Sequence, residues 1–159
     1  MCAFLWMWSR VTSRDACDGG GFRVATVSVA DIEPPVVSVT AVDPMAEERN
    51  LGIGRFKFTR LGTTSRPLTV FYHVGGTAKP GMPEYKTHLA DYAVLPGSIT
   101  IPAGSTEAFV EVQPFADAEL ETLETVEVTL GGALDYVIGT ANSATVTIDD
   151  SNPAVWIPR

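Results

Sequence analysis

Asp117, Glu119, Glu121 and Glu124 place four carboxylates within eight residues, with no Lys or Arg among them. Like charges held this close raise one another's pKa and resist folding together. A hard divalent cation would relieve that repulsion. Calcium takes six to eight oxygens at about 2.3–2.6 Å, which proteins supply most readily from carboxylates and carbonyls on loops. By this argument an empty site is loose and a filled one ordered, and saturation at about 100 times the dissociation constant adds roughly 2.7 kcal/mol of stability. From these residues alone, a solvated acidic loop that keeps the chain soluble is the alternative.

Other chemistries find less support. Glu121 and Glu124 could in principle form a glycosidase pair, which needs two carboxyls about 5–10 Å apart, but nothing else in the sequence points to a substrate cleft. The two histidines, His73 and His88, have no cysteine near them, so no zinc-ligand spacing exists. His73 falls in a strand pattern and reads as a sheet-face residue; His88 reads as a loop residue. No GxSxG elbow is present. Trp6, Trp8 and Trp156 lie near the two ends of the sequence, so no aromatic platform for carbohydrate is evident. The chain is not expected to be an enzyme.

Charge sharpens the cation reading. No Lys or Arg occurs between Thr87 and Pro158, while eleven carboxylates do; the first 86 residues carry ten basic and eight acidic side chains. The net charge of −8 therefore belongs to the second half. Such a surface repels phosphate, so nucleic acid is not an expected partner. No apolar run approaches the ~18–20 residues that span a bilayer, so this segment is not expected to insert into a membrane. Cys2 and Cys17 are the only cysteines, too few for a disulfide framework. Residues 1–21 read as a leader outside any packed domain.

The elements that must position the acidic residues are strands. From Pro35 onward, short runs of β-branched and aromatic residues alternate with Gly, Pro, Asp and Asn, and no stretch sustains a helical period. Strands are expected at Val36–Val42, Arg55–Arg60, Leu68–Val74, Gly97–Ile101, Ala108–Pro114, Thr125–Leu130 and Ala144–Ile148. In the second, Phe56, Phe58 and Arg60 alternate with Arg55, Lys57 and Thr59, giving one buried face and one wet face. About seven short strands imply an all-β, antiparallel two-sheet sandwich. Ala25–Asp31 (ATVSVAD) is matched 119 residues later by Ala144–Asp150 (ATVTIDD), and each copy is followed by proline. A domain-sized period of this kind suggests beads on a string.

These pieces occur in a recognisable order. Val36, Ser38 and Val39 lead to Asp43-Pro44-Met45-Ala46-Glu47-Glu48 and on to Phe56-Lys57-Phe58-Thr59-Arg60. Then come Pro67–Val70, Gly76-Thr77-Ala78, Asp91-Tyr92, Gly97–Gly104, Glu121 to Val126 and Ala144 to Asp150. Together they resemble a Calx-beta repeat over about Pro35 to Asn152. The resemblance implies an immunoglobulin-like sandwich, of the kind found as calcium sensors in sodium-calcium exchangers and as tandem modules of adhesion and surface proteins. It implies a ligand set of Glu48, Asp91, Asp117, Glu121, Glu124 and Asp150, with Glu119 where the family usually offers a backbone carbonyl. The sequence departs from the family in three places. Ala116 replaces the first of a usual aspartate pair, Ser151 and Asn152 follow Asp150, and the stretch from Gly81 to Ala90 is longer than usual. One or two sites are therefore expected rather than a full cluster.

The organisation implied is a leader (1–21), the last strand of a preceding repeat with its linker (22–34), one repeat (35–152), and the start of a following repeat or a tail (153–159). The function expected is a calcium-stiffened structural or adhesion module, extracellular or at the cell surface, whose partners are neighbouring repeats and other proteins. The rival is a metal-free interaction or spacer module with a degenerate site. A third reading is a calcium sensor domain of a membrane transporter.

Overall fold

The computed structural model describes residues 33–49, 51–82, 90–116 and 121–150. The chain divides into two units, Met1–Glu33 and Pro34–Arg159, and the described residues belong almost wholly to the second. The leader, the earlier copy of the repeated strand, the two cysteines, His88, the three tryptophans and the 153–159 segment lie outside the described residues.

The described residues form strands β1 (Val36–Asp43), β2 (Met45–Glu47), β3 (Gly54–Leu61), β4 (Leu68–Gly76), β5 (Pro80–Gly81) and β6 (Tyr92–Ala93). They continue with β7 (Ser98–Ile101), β8 (Glu107–Val112), β9 (Glu124–Leu130), β10 (Val137–Ile138) and β11 (Ser143–Asp149). One sheet has the order β10-β1-β3-β8 and the other β2-β11-β9-β4-β7, with β5 and β6 as a separate pair. All seven expected strands are present, and β3, β4, β9 and β11 carry the period-2 burial that a sheet with one buried face demands. The burial of β3 alternates residue by residue along its length.

The sheets are mixed rather than purely antiparallel. β1 pairs with β10 in parallel, and β2 pairs with β11 in parallel. Strands β2, β5, β6 and β10 have two or three residues each, too short to show a period in the sequence. Pro44 explains the first of them. Without an amide hydrogen it cannot continue a ladder as donor, so the chain leaves the first sheet after Asp43 and enters the second at Met45. There the Pro44 carbonyl accepts a hydrogen bond from Thr147 N at 2.8 Å.

The core lies between the sheets. Val37, Val39, Phe56, Phe58 and Val112 face Val70, Tyr72, Val126, Val128, Val146 and Ile148, all buried. The Phe58 and Tyr72 rings meet at 5.1 Å between centroids and a 40° tilt. Two polar side chains fasten the periphery. The Tyr136 hydroxyl donates to the Gly131 carbonyl and accepts from Phe71 N at 3.2 Å, which ties the segment before β10 to the second sheet.

Arg60 continues the buried face of β3 and is only 4% exposed. Its guanidinium donates to the carbonyls of Ser105 (2.9 Å), Arg66 (2.7 Å), Pro102 (2.8 Å) and Thr64 (3.3 Å). A buried cation is tolerated when its donors are satisfied. Here it clamps the two loops at the end of the sandwich where β3 finishes.

Candidate metal centre

The opposite end collects the acidic residues, and the register of the second sheet is what collects them. Glu124 opens β9 opposite Ile148, and Asp149, the last residue of β11, lies opposite Glu47 at the end of β2. The segment after β4 is then clasped to the start of β9. Thr77 N donates to Thr125 Oγ1 at 3.2 Å, Thr125 N donates to Thr77 Oγ1 at 2.9 Å, and Ala78 N donates to the Thr125 carbonyl at 3.0 Å. Gly76 makes this approach possible. Its φ is +111°, and a Cβ there would run into the Thr125 carbonyl.

The clasp delivers Lys79 to Asp91. Lys79 N donates to Asp91 Oδ2 at 2.6 Å, Asp91 N donates to the Lys79 carbonyl at 2.9 Å, and the Asp91 carbonyl accepts from Phe115 N at 2.8 Å. Asp91 is 5% exposed, its backbone held on both sides and its carboxylate held by the Lys79 amide. Among the described residues, carboxylate oxygens of Asp91, Glu121 and Glu124 all lie within 4.8 Å of one another. Asp150 joins through the backbone, its Oδ2 accepting from Glu121 N at 3.1 Å. Glu48 is buried, and its amide donates to the Asp149 carbonyl at 3.2 Å.

Of the seven residues expected to contribute, Asp91, Glu121 and Glu124 are thus brought together. Asp150 and Glu48 stand at the same end of the sandwich but outside that triad, and Asp117 and Glu119 lie outside the described residues. Sequence reasoning missed Lys79 and the Thr77–Thr125 clasp. Lys79 has no distinguishing context in the sequence; the Gly76-Thr77 pair beside a strand end was the available signal for a close backbone approach.

The electrostatics of the triad are those of a site short of positive charge. The Glu124 carboxyl is pushed up to about 7, first by its hydrogen bond to the Asp91 carboxylate, then by burial, and then by the charges of Asp91 and Glu121. The Lys79 charge pulls it the other way without cancelling the rise. The second oxygen of Glu124, Oε2, is buried with no hydrogen-bond partner, a state that costs free energy unless something coordinates the atom. Among the described residues the group consists of three carboxylates, with no thiolate or imidazole, and so is an oxygen-only donor set. That chemistry suits a hard cation of the calcium or magnesium type and not zinc.

No protein-family model matches the chain, and no curated protein does. Solved structures match in fold. The apo-form Calx CBD1 domain superposes with a TM-score of 0.54 at 20% identity, covering 76% of this chain and 100% of that one. The calcium binding domain CBD12 of CALX1.1 gives 0.54 at 22% identity over 70% of this chain, which spans 44% of that one. The Calx CBD2 domain gives 0.51 at 13% identity over 79% and 93% of the two chains. The sandwich described above is the fold of these domains.

Proposed function

We propose that this chain is a calcium-binding structural module of the Calx-beta type, with Asp91, Glu121 and Glu124 at the heart of its site. The observation that carries the reading is the unpartnered, buried Oε2 of Glu124 inside a triad of carboxylates. Asp150, Glu48, Asp117 and Glu119 are the further oxygens proposed around it, from the ends of β11 and β2 and from the loop before β9. The likeness in fold to calcium-binding Calx domains supports the same reading. The role is mechanical and regulatory rather than catalytic. A cation there would hold together the loop before β9, the segment carrying Asp91 and the end of β11.

Asp150 directly follows β11, the final strand of the sandwich among the described residues, and a cation beside it would also stiffen the passage to a following repeat of a tandem array. An extracellular or cell-surface protein built of such repeats is the setting that suits this mechanical role. The test is a thermal melt of the full chain in chelator and in millimolar calcium, beside the Asp91→Asn variant. A midpoint raised by several degrees in the parent and unmoved in the variant is the expected result. No response in the parent would leave the rival reading, a metal-free spacer whose site has decayed.

A further inference from the structure

We propose that the outer edge of β8 is a docking site for an extended strand of another protein, one in which apolar residues alternate with basic ones. β8 ends its sheet: among the described residues it pairs with β3 on one side and with no full strand on the other. Arg60 N donates to the Thr106 carbonyl, and antiparallel partners exchange hydrogen bonds at every second residue. Ala108 and Val110 therefore turn their backbone groups toward β3, and Glu107, Phe109 and Glu111 turn theirs outward.

The chain itself starts a ladder on that edge and abandons it. Ala93 N donates to the Gln113 carbonyl at 2.9 Å, and Phe115 N donates to the Asp91 carbonyl at 2.8 Å, with Tyr92 bridged to Pro114 between them. After Ala93 the chain turns away through Val94–Gly97 to form β7 at the edge of the other sheet. An open cleft of about 340 Å³ remains between the two edges, lined by Val94, Leu95, Ile99, Phe109 and Val110 among others. Phe109 and Val94 are 45% and 53% exposed. Within β8 itself, Glu107–Val112, there is no lysine or proline, and the charged residues on its exposed face are Glu107 and Glu111.

The cleft and the edge together define the guest. In a strand paired to β8, the residue opposite Val110 points toward the cleft and the one opposite Ala108 to the same face, while those opposite Glu107 and Glu111 stand beside carboxylates, of which Glu111 is also paired with Arg55 of β3 at 2.9 Å. A second copy of β8 is a poor guest. Antiparallel pairing centred on Phe109 would set Glu107 against Glu111 of the other copy, and like charges directly opposite are destabilising. A strand with lysine or arginine at those two positions replaces that repulsion by attraction, against a protein whose net charge is −8. This inference is independent of the calcium reading.

The experiment is amide hydrogen exchange of the full chain, in chelator, with the capped peptide Lys-Val-Thr-Val-Lys and with Glu-Val-Thr-Val-Glu. Saturating basic peptide is expected to slow exchange at Glu107, Phe109 and Glu111 by about tenfold or more, while the acidic peptide leaves it unchanged. Phe109→Pro removes an outward amide that β3 does not use and should abolish the protection. Val94→Lys, at an exposed position in the cleft, should weaken it if the proline variant does not fold. Exchange that stays fast with the basic peptide would overturn the proposal. So would equal protection by both peptides, protection already present in the free chain, or protection that rises with protein concentration alone.

Discussion

Replacing Glu124 by glutamine should stabilise the metal-free protein at alkaline pH and abolish its response to calcium. The carboxyl of Glu124 titrates at about 7 instead of 4.5 because it is hydrogen-bonded to Asp91, partly buried and close to Glu121. The folded state thus keeps a proton there that the unfolded chain gives up. Below about pH 4.5 both states are protonated and this contribution is fully present; as pH rises through 7 it is lost, so stability falls across that window. The shift corresponds to about 3 kcal/mol at full strength and, for a partly exposed group screened by water, to about 1–2 kcal/mol. Glutamine keeps a donor for Asp91 and never ionises. In chelator at pH 8 its midpoint should exceed the parent's by on the order of 3–10 °C, and the difference should disappear at pH 4. Calcium should then raise the parent and leave the variant where it is. If the two proteins melt together at pH 8 in chelator, the repulsion assigned to the triad does not exist.

Three further outcomes are expected from the same geometry. Calcium affinity, measured by calorimetry, should fall by up to about tenfold per pH unit below 7, since the proton on Glu124 must leave before the cation is coordinated. Gly76→Ala should cost about 1–3 kcal/mol in urea unfolding and loosen the Thr77–Thr125 clasp, because the alanine Cβ meets the Thr125 carbonyl and the backbone there has positive φ. Arg60→Lys should cost about 2–4 kcal/mol, because an ammonium cannot reach the four carbonyls that the guanidinium fork satisfies; near-neutral stability in a melt would show that the clamp contributes little.

The long strands were legible in the sequence because their signal is local. In Phe56–Arg60 every second residue is buried, and burying one face of a sheet demands that pattern in whatever tertiary setting. The parallel pairs β1–β10 and β2–β11 were not legible, because they join segments far apart in sequence through two or three residues each. Arg60 illustrates an intermediate case. Its place on the buried face could be read from alternation, but the carbonyls that make burial of a cation tolerable come from two loops that no periodicity marks. The acidic triad divides in the same way. Glu121 and Glu124 stand out as part of a dense run, whereas Asp91 is a lone aspartate that becomes a ligand candidate only through a family resemblance and is then placed by Lys79, Phe115 and the Thr77–Thr125 clasp.

The two ends of the sandwich solve opposite problems. Where β3 finishes, carbonyls converge from the Thr64–Arg66 and Pro102–Ser105 loops, and the chain supplies its own cation, Arg60, buried among them. Where β9 begins, carboxylates converge from the Asp91 segment, the Glu121 loop and β9 itself, and the Lys79 charge does not offset them: Glu124 is still pushed up to about 7. A protein selected only for stability could have placed an arginine in this second nest as it did in the first. On the proposed function, a cation from solution would supply the missing positive charge, and the order of this end would then follow the concentration of that cation. The same end carries Asp91, from which the chain passes through Tyr92 and Ala93 to the abandoned ladder on β8. Fixing Asp91 therefore also orders the start of that ladder, since the Asp91 carbonyl accepts from Phe115 N at 2.8 Å.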